Sequence, residues 1–157
     1  MACGWAPGLL TLAVVQGQAE VAVSERVLIV DDNEDVRRIL ALRLSLAGFE
    51  VSDAADGRAG LLALRAGRWD LVLLDLVMPE LDGFEFLDAL RADTAQSPPV
   101  VVITQYDDAV NRQRALALGA ARYVGKSSAL DRTFPGALRA WVDEFKRPTL
   151  AETEDQP

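Results

Sequence analysis

With 157 residues, half of them hydrophobic and a quarter charged, the chain is long enough to bury a core and too apolar to be disordered. A net charge of −8 excludes a generally basic nucleic-acid surface, and the absence of histidine excludes Ser-His-Asp and Cys-His catalysis, histidine metal sites and a histidine phosphodonor role. The single cysteine, Cys3, offers no disulfide framework, which fits a reducing cytoplasm.

Residues 1–24 differ from the rest. Met1 to Glu20 carries no Lys or Arg, so the apolar patch Leu9 to Val15 lacks the basic start of a secretory signal, and it is far shorter than the roughly 20 residues a membrane span needs. The segment is expected to be a disordered leader, as would follow from a start codon assigned too early, with Val23 as the alternative start. The folded domain is expected over residues 25–146 and an acidic disordered tail over 147–157.

Val27-Leu28-Ile29-Val30 reads as a strand buried on both faces and is followed at once by Asp31-Asp32. Asn33 or Asp32 caps a helix with Val36, Ile39, Leu40, Leu44 and Ala47 at helical spacing, while Arg37, Arg38 and Arg43 point elsewhere. Gly48 ends that helix. Glu50 to Ala54 is a short strand, and Ala55-Asp56-Gly57 turns into an alanine- and leucine-rich helix reaching about Ala66. Leu71-Val72-Leu73-Leu74 is the next buried strand and delivers Asp75 into a turn marked by Pro79 and Asp82-Gly83.

A helix over Phe84 to Leu90 follows, then a loop from Asp93 to Pro99 in which two prolines bar any helix. Val100-Val101-Val102-Ile103 is a third buried strand, ending on Thr104. Asp107 to Leu118 is a polar helix closed by Gly119, and Arg122 to Gly125 is a last strand ending on Lys126. The final helix is expected from about Asp131 to Phe145, with Pro135 in its first turn. Trp69 and Trp141 read as packing residues.

Four apolar strands thus end in Asp31-Asp32, Asp75, Thr104 and Lys126. In a right-handed parallel sheet these endings lie on one edge, where ligands bind. Carboxylates gathered there repel by about 4 kcal/mol per pair at about 4 Å, even at an effective dielectric of about 20. Such a cluster needs a proton or a cation. An all-oxygen donor set without histidine suits Mg2+ or Mn2+, and Lys126 with Thr104 can hold the oxygens of a phosphoryl group.

In these features the sequence resembles the receiver domain of bacterial two-component response regulators, over roughly residues 25–146. The resemblance rests on Asp31-Asp32, Asp75 followed by Met78-Pro79 and Asp82-Gly83, Thr104, Tyr123 and Lys126, all in order. It implies a (βα)5 doubly wound, flavodoxin-like α/β fold with five parallel strands in the order 2-1-3-4-5. It also implies phosphoryl transfer to Asp75 from the phosphohistidine of a sensor histidine kinase or histidine phosphotransfer protein. The Mg2+ would be held by Asp32, Asp75 and the Val77 backbone carbonyl, with Asp31 helping through a water. Thr104 and Tyr123 would be the switch pair. Such a domain is a phosphoacceptor rather than an enzyme with turnover.

The sequence departs from that pattern at Ser127, where proline in a cis bond is usual, and at Gln105, where a small residue is usual. Val77 and Tyr106 flank the site and are expected to hinder the water that removes the phosphoryl group. The short remainder after the last helix points to a stand-alone receiver that acts on an unknown protein effector in the cytoplasm, with no DNA or membrane partner. Two alternatives stand beside this reading. One is a degenerate receiver that binds partners without phosphorylation, suggested by Gln105 and Ser127. The other is a haloacid-dehalogenase-type phosphatase, which requires an acid where Val77 stands.

Overall fold

The computed structural model describes residues 11–15, 18–93 and 97–148. Strands β1 (Thr11–Val15) and β2 (Gln18–Ala22) pair antiparallel, Thr11 opposite Ala22 and Val15 opposite Gln18. This departs from the disordered leader expected over residues 1–24. The rest of that expectation, residues 1–10 with Cys3, and the acidic tail beyond residue 148 lie outside the described residues.

The main sheet has five parallel strands: β3 (Arg26–Val30), β4 (Glu50–Ala54), β5 (Leu71–Leu74), β6 (Val100–Thr104) and β7 (Arg122–Gly125). They lie side by side as β4-β3-β5-β6-β7, which is the expected order 2-1-3-4-5 when counted within this sheet. Residues 27–30, all of β5 and all of β6 are buried. The two-residue period of a strand divides these apolar runs between two cores. Val27, Ile29, Leu71, Leu73, Val101 and Ile103 face α1 (Glu34–Leu46) and the last helix. Leu28, Val30, Val72, Leu74, Val100 and Val102 face α2 (Gly57–Ala66), α3 (Gly83–Ala92) and α4 (Ala109–Ala117).

The chain after β7 differs from the single helix expected. A four-residue helix, α5 (Lys126–Ala129), starts on the lysine itself, and α6 (Phe134–Lys146) follows with Pro135 in its first turn. The buried face of α1 is also narrower than its periodicity suggested. Val36, Leu40 and Leu44 are buried at strict four-residue spacing, whereas Ile39 is 40% exposed and Ala47 lies outside the core. Trp141 packs edge-on to Phe134, and the Trp69 indole donates to the Ala63 carbonyl.

Helix starts gather along the carboxyl edge of the sheet. Asn33 accepts from the amides of Asp35 and Val36, and Asp108 from that of Asn111. Asp82 and Glu85 form a reciprocal capping box. Gly83 is required for a different reason: a Cβ there would stand 2.5 Å from the carbonyl oxygen of Asp75 and 2.6 Å from Leu76 Cα. The start of α3 is thereby pressed against the end of β5, which fixes the turn that presents Asp75.

Candidate functional site

Asp31, Asp75, Thr104 and Lys126 are the buried polar and charged residues among those described, and each follows, ends or closes a strand of the main sheet. Burying a charge is costly unless it is paired. Here the pairing is internal to the group. The Lys126 ammonium lies 2.9 Å from Asp31 Oδ2 and 3.1 Å from Asp75 Oδ2. The amide of Asn33 donates to Asp31 Oδ1 at 2.9 Å, and that of Val77 approaches Asp75 Oδ1 at 3.4 Å.

Asp32 is exposed at the mouth, and one carboxylate oxygen from each of Asp31, Asp32 and Asp75 lies within 4.8 Å of the others. Three carboxylates facing one ammonium leave two formal negative charges uncompensated within the cluster. Burial, followed by the charge of Asp31, pushes the Asp75 carboxyl up to about 6, with Lys126 and the Val77 amide pulling the other way. Burial alone would lower the Lys126 ammonium. Its hydrogen bond to Asp31 and the charges of Asp75 and Asp31 outweigh burial and hold it above the ordinary lysine value. An all-oxygen, acidic, partly open pocket of this kind fits a hard divalent cation.

The pocket opens into a cleft of about 420 Å³ lined by Asp32, Asn33, Asp75, Val77, Gln105, Tyr106 and Lys126. Gln105, expected to crowd the entrance, lines this cleft and is exposed. Val77 and Tyr106, more than half exposed, also line an adjoining cleft of about 320 Å³ that contains Thr104. Thr104 is fully buried, and its hydroxyl oxygen accepts from the Tyr106 amide at 3.2 Å. Tyr123 is buried on β7, and its hydroxyl donates to the Tyr106 carbonyl. Burial, with the charges of Asp108 and Asp107, raises the Tyr123 hydroxyl above its ordinary value and keeps it a donor. The Arg112 guanidinium stands 5.2 Å from the centre of the Tyr123 ring and is paired with Asp107.

At Ser127 the sequence departs from the receiver pattern, but Lys126 still reaches both acids from the first position of α5. One participant was not legible from residue types. Arg37, expected to point away, donates to the Asp31 carbonyl at 2.8 Å and to Asp53 Oδ2 at 2.8 Å. The signal that would have found it is the acid Asp53 near the end of a neighbouring strand.

Residues 27–134 match the response regulator receiver domain family. The chain belongs to that family. It is 36% identical over 129 residues to the probable transcriptional regulator ycf27 of Cyanophora paradoxa, a match covering 82% of this chain and 53% of the relative. It is 40% identical over 106 residues to the regulatory protein AtoC of Escherichia coli, covering 68% of this chain and 23% of that one. The receiver thus spans about half the length of the first of these relatives and less of the second. Among solved structures, the signal receiver domain of a putative NarL from Mycobacterium tuberculosis superposes with a TM-score of 0.69 at 31% identity, covering 76% of this chain and 97% of that one. The response regulator protein TrrA of Thermotoga maritima, solved in complex with Mg2+-BeF, gives a TM-score of 0.63 at 29% identity, covering 76% of this chain and 97% of that one. No described helix of this chain is long and apolar enough to cross a membrane.

Proposed function

We propose that this receiver accepts a phosphoryl group on Asp75 from the phosphohistidine of a sensor histidine kinase or phosphotransfer protein. The observation that carries the reading is the buried meeting of Asp31, Asp75 and Lys126 at the mouth of a cleft that also exposes Asp32. Support comes from the family match and from TrrA, a relative solved with Mg2+-BeF.

In this reading the Asp75 carboxylate forms the new O–P bond as the P–N bond to the donor imidazole breaks, and the imidazole leaves with its electron pair and takes a proton from solvent. Lys126, already 3.1 Å from Asp75, offers its ammonium to the oxygens on phosphorus as charge grows on them. Asp31, Asp32, Asp75 and the Val77 carbonyl would hold Mg2+ or Mn2+. When bound, the ion supplies positive charge to the transferring group and allows the crowded carboxylates to be ionised together. Asp75 and Lys126 are fixed by strand ends and by each other, so positioning is arranged before the donor arrives. No general base is needed, and the protein acts as a phosphoacceptor switch without turnover of a small-molecule substrate.

We further propose that the acyl phosphate draws in Thr104 and resets the Tyr106 backbone, to which Thr104 and Tyr123 are both hydrogen-bonded. The output surface then comprises α4, β7 and α6 and binds a protein effector in the cytoplasm. The chain as a whole, at −8, disfavours general binding to nucleic-acid phosphates. A receiver too degenerate to be phosphorylated is disfavoured by the Lys126–Asp75 contact, and a haloacid-dehalogenase-type phosphatase by Val77 in the place of its second acid.

Addition of beryllofluoride with Mg2+ tests the proposal. The account expects saturable amide NMR shifts at Asp75, Thr104, Tyr106 and Tyr123 that require both components. Shifts without Mg2+, or none near Thr104 and Tyr123, would contradict it.

A further inference from the structure

We infer that Arg37 is a positioning residue for the acidic pocket, fixing the peptide between Asp31 and Asp32 so that both carboxylates serve one divalent cation. The inference rests on the reading of that pocket as a Mg2+ site. Arg37 stands in the first turn of α1, where solvent would be expected to take a long charged side chain, yet that side chain is only 13% exposed. Its Nη1 donates to the Asp31 carbonyl at 2.8 Å, and its Nε donates to Asp53 Oδ2 at 2.8 Å.

The target of the first bond decides its meaning. The carbonyl of Asp31 and the amide of Asp32 belong to one planar peptide unit, so a bond to that oxygen sets the direction in which the Asp32 Cα leaves the plane. The preceding peptide is fixed as well, because the Asp31 amide donates to the Ala54 carbonyl at 3.2 Å. Asp53 and Ala54 are the last two residues of β4, which runs parallel to β3 with Asp53 opposite Ile29 and Ala54 opposite Val30. The edge strand therefore holds the turn twice, once through its own backbone and once through Arg37. The Asp31 side chain is held in turn by Asn33 and Lys126.

Arginine suits this task because its planar fork meets a carbonyl and a carboxylate together at fixed angles, whereas a lysine ammonium on a flexible stem does not hold both so rigidly. An ion pair with a half-exposed Asp53 is by itself worth little. The contact's weight lies in where the other end of the guanidinium goes.

The test is a Mg2+ titration of the full unphosphorylated chain followed by amide NMR shifts, with thermal unfolding of each variant in Mg2+-free buffer. Arg37→Ala is expected to weaken Mg2+ binding about tenfold, at the lower end of the roughly 10–100-fold cost of losing a group that orients a metal ligand. Arg37→Lys is expected to recover part of that loss, and Asp53→Asn to fall between wild type and Arg37→Ala. If Arg37→Ala does not fold, the titrations of Arg37→Lys and Asp53→Asn decide, and wild-type affinity in both would overturn the inference. Wild-type Mg2+ affinity in a folded Arg37→Ala, with or without a lower melting temperature, would confine Arg37 to docking α1 on β4 and overturn it as well. Failure of the wild-type chain to bind Mg2+ would instead remove the metal-site reading beneath it.

Discussion

Lys126 Nζ lies 3.1 Å from Asp75 Oδ2, across 51 residues of sequence, and both groups are buried. This contact joins the end of β5 to the start of α5 and places a cation beside the carboxylate proposed as the nucleophile. Lys126→Met keeps the length of the stem and removes the charge. It is expected to push the Asp75 carboxyl above about 6 and to slow labelling by a small phosphodonor by about 100-fold, as the loss of a preorganised charged donor does elsewhere. Labelling time courses at several pH values around 6 check both effects. An unchanged rate with an unchanged pH profile would show that the ammonium has no part in the chemistry.

The raised Asp75 carboxyl makes stability depend on pH in a definite direction. Below about pH 4 the group is protonated in both folded and unfolded chains and contributes nothing. Between about 3.8 and about 6 the unfolded chain releases this proton while the folded chain still holds it, so a penalty builds across that window and is constant above about pH 6. After discounting for screening at the open cleft, the penalty is about 2 kcal/mol. Asp75→Asn is therefore expected to raise the melting temperature of Mg2+-free protein at pH 7 and to change it little at pH 4. Thermal unfolding in a chelator at the two pH values measures this. Mg2+ affinity of the wild type should fall below about pH 6, where the ion competes with a proton.

The centre of the sheet was legible because β3, β5 and β6 carry unbroken apolar runs, and these proved buried on both faces as such runs require. The acids and the lysine of the pocket were legible because each stands where an apolar run stops. Features that depend on contacts between separate elements were not. Ile39 has the periodicity of a core residue, but strict four-residue packing of Val36, Leu40 and Leu44 leaves it 40% exposed. Arg37 has the composition of a surface residue, but two acceptors at the end of β4 and the turn after β3 draw it in. The paired strands Thr11–Val15 and Gln18–Ala22 were missed because the segment was weighed by its charge and by its length against a membrane span.

Tyr123 ties β7 to the loop after β6 through the Tyr106 carbonyl. Tyr123→Phe removes that donor and leaves the acidic pocket untouched. The expected outcome is phosphoryl labelling within about twofold of wild type, with the amide shifts of Tyr106 and Thr104 moved and their response to beryllofluoride reduced, since a lost hydrogen bond of about 1 kcal/mol shifts a two-state balance about fivefold. NMR spectra of the two proteins with and without beryllofluoride and Mg2+ read this. An unchanged response would separate Tyr123 from the switch.

Val77 and Tyr106, whose own side chains carry no carboxylate or amide, line the cleft over Asp75 and stand in the way of an attacking water. The acyl phosphate is therefore expected to persist for minutes or longer, and Val77→Ala with Tyr106→Ala to shorten its lifetime by giving water access. Decay followed by intact mass after removal of the phosphodonor measures both. Loss within seconds in the wild type would contradict the expectation.

The central claim, that Asp75 is the phosphoacceptor of a cation-dependent site, is tested most directly by incubating the full chain with a small phosphodonor and locating the product by mass spectrometry. The account predicts one phosphoryl group per chain on Asp75, formed only when Mg2+ is present and absent from Asp75→Asn. Labelling that survives in Asp75→Asn at another residue, or proceeds equally well in chelator, would contradict it.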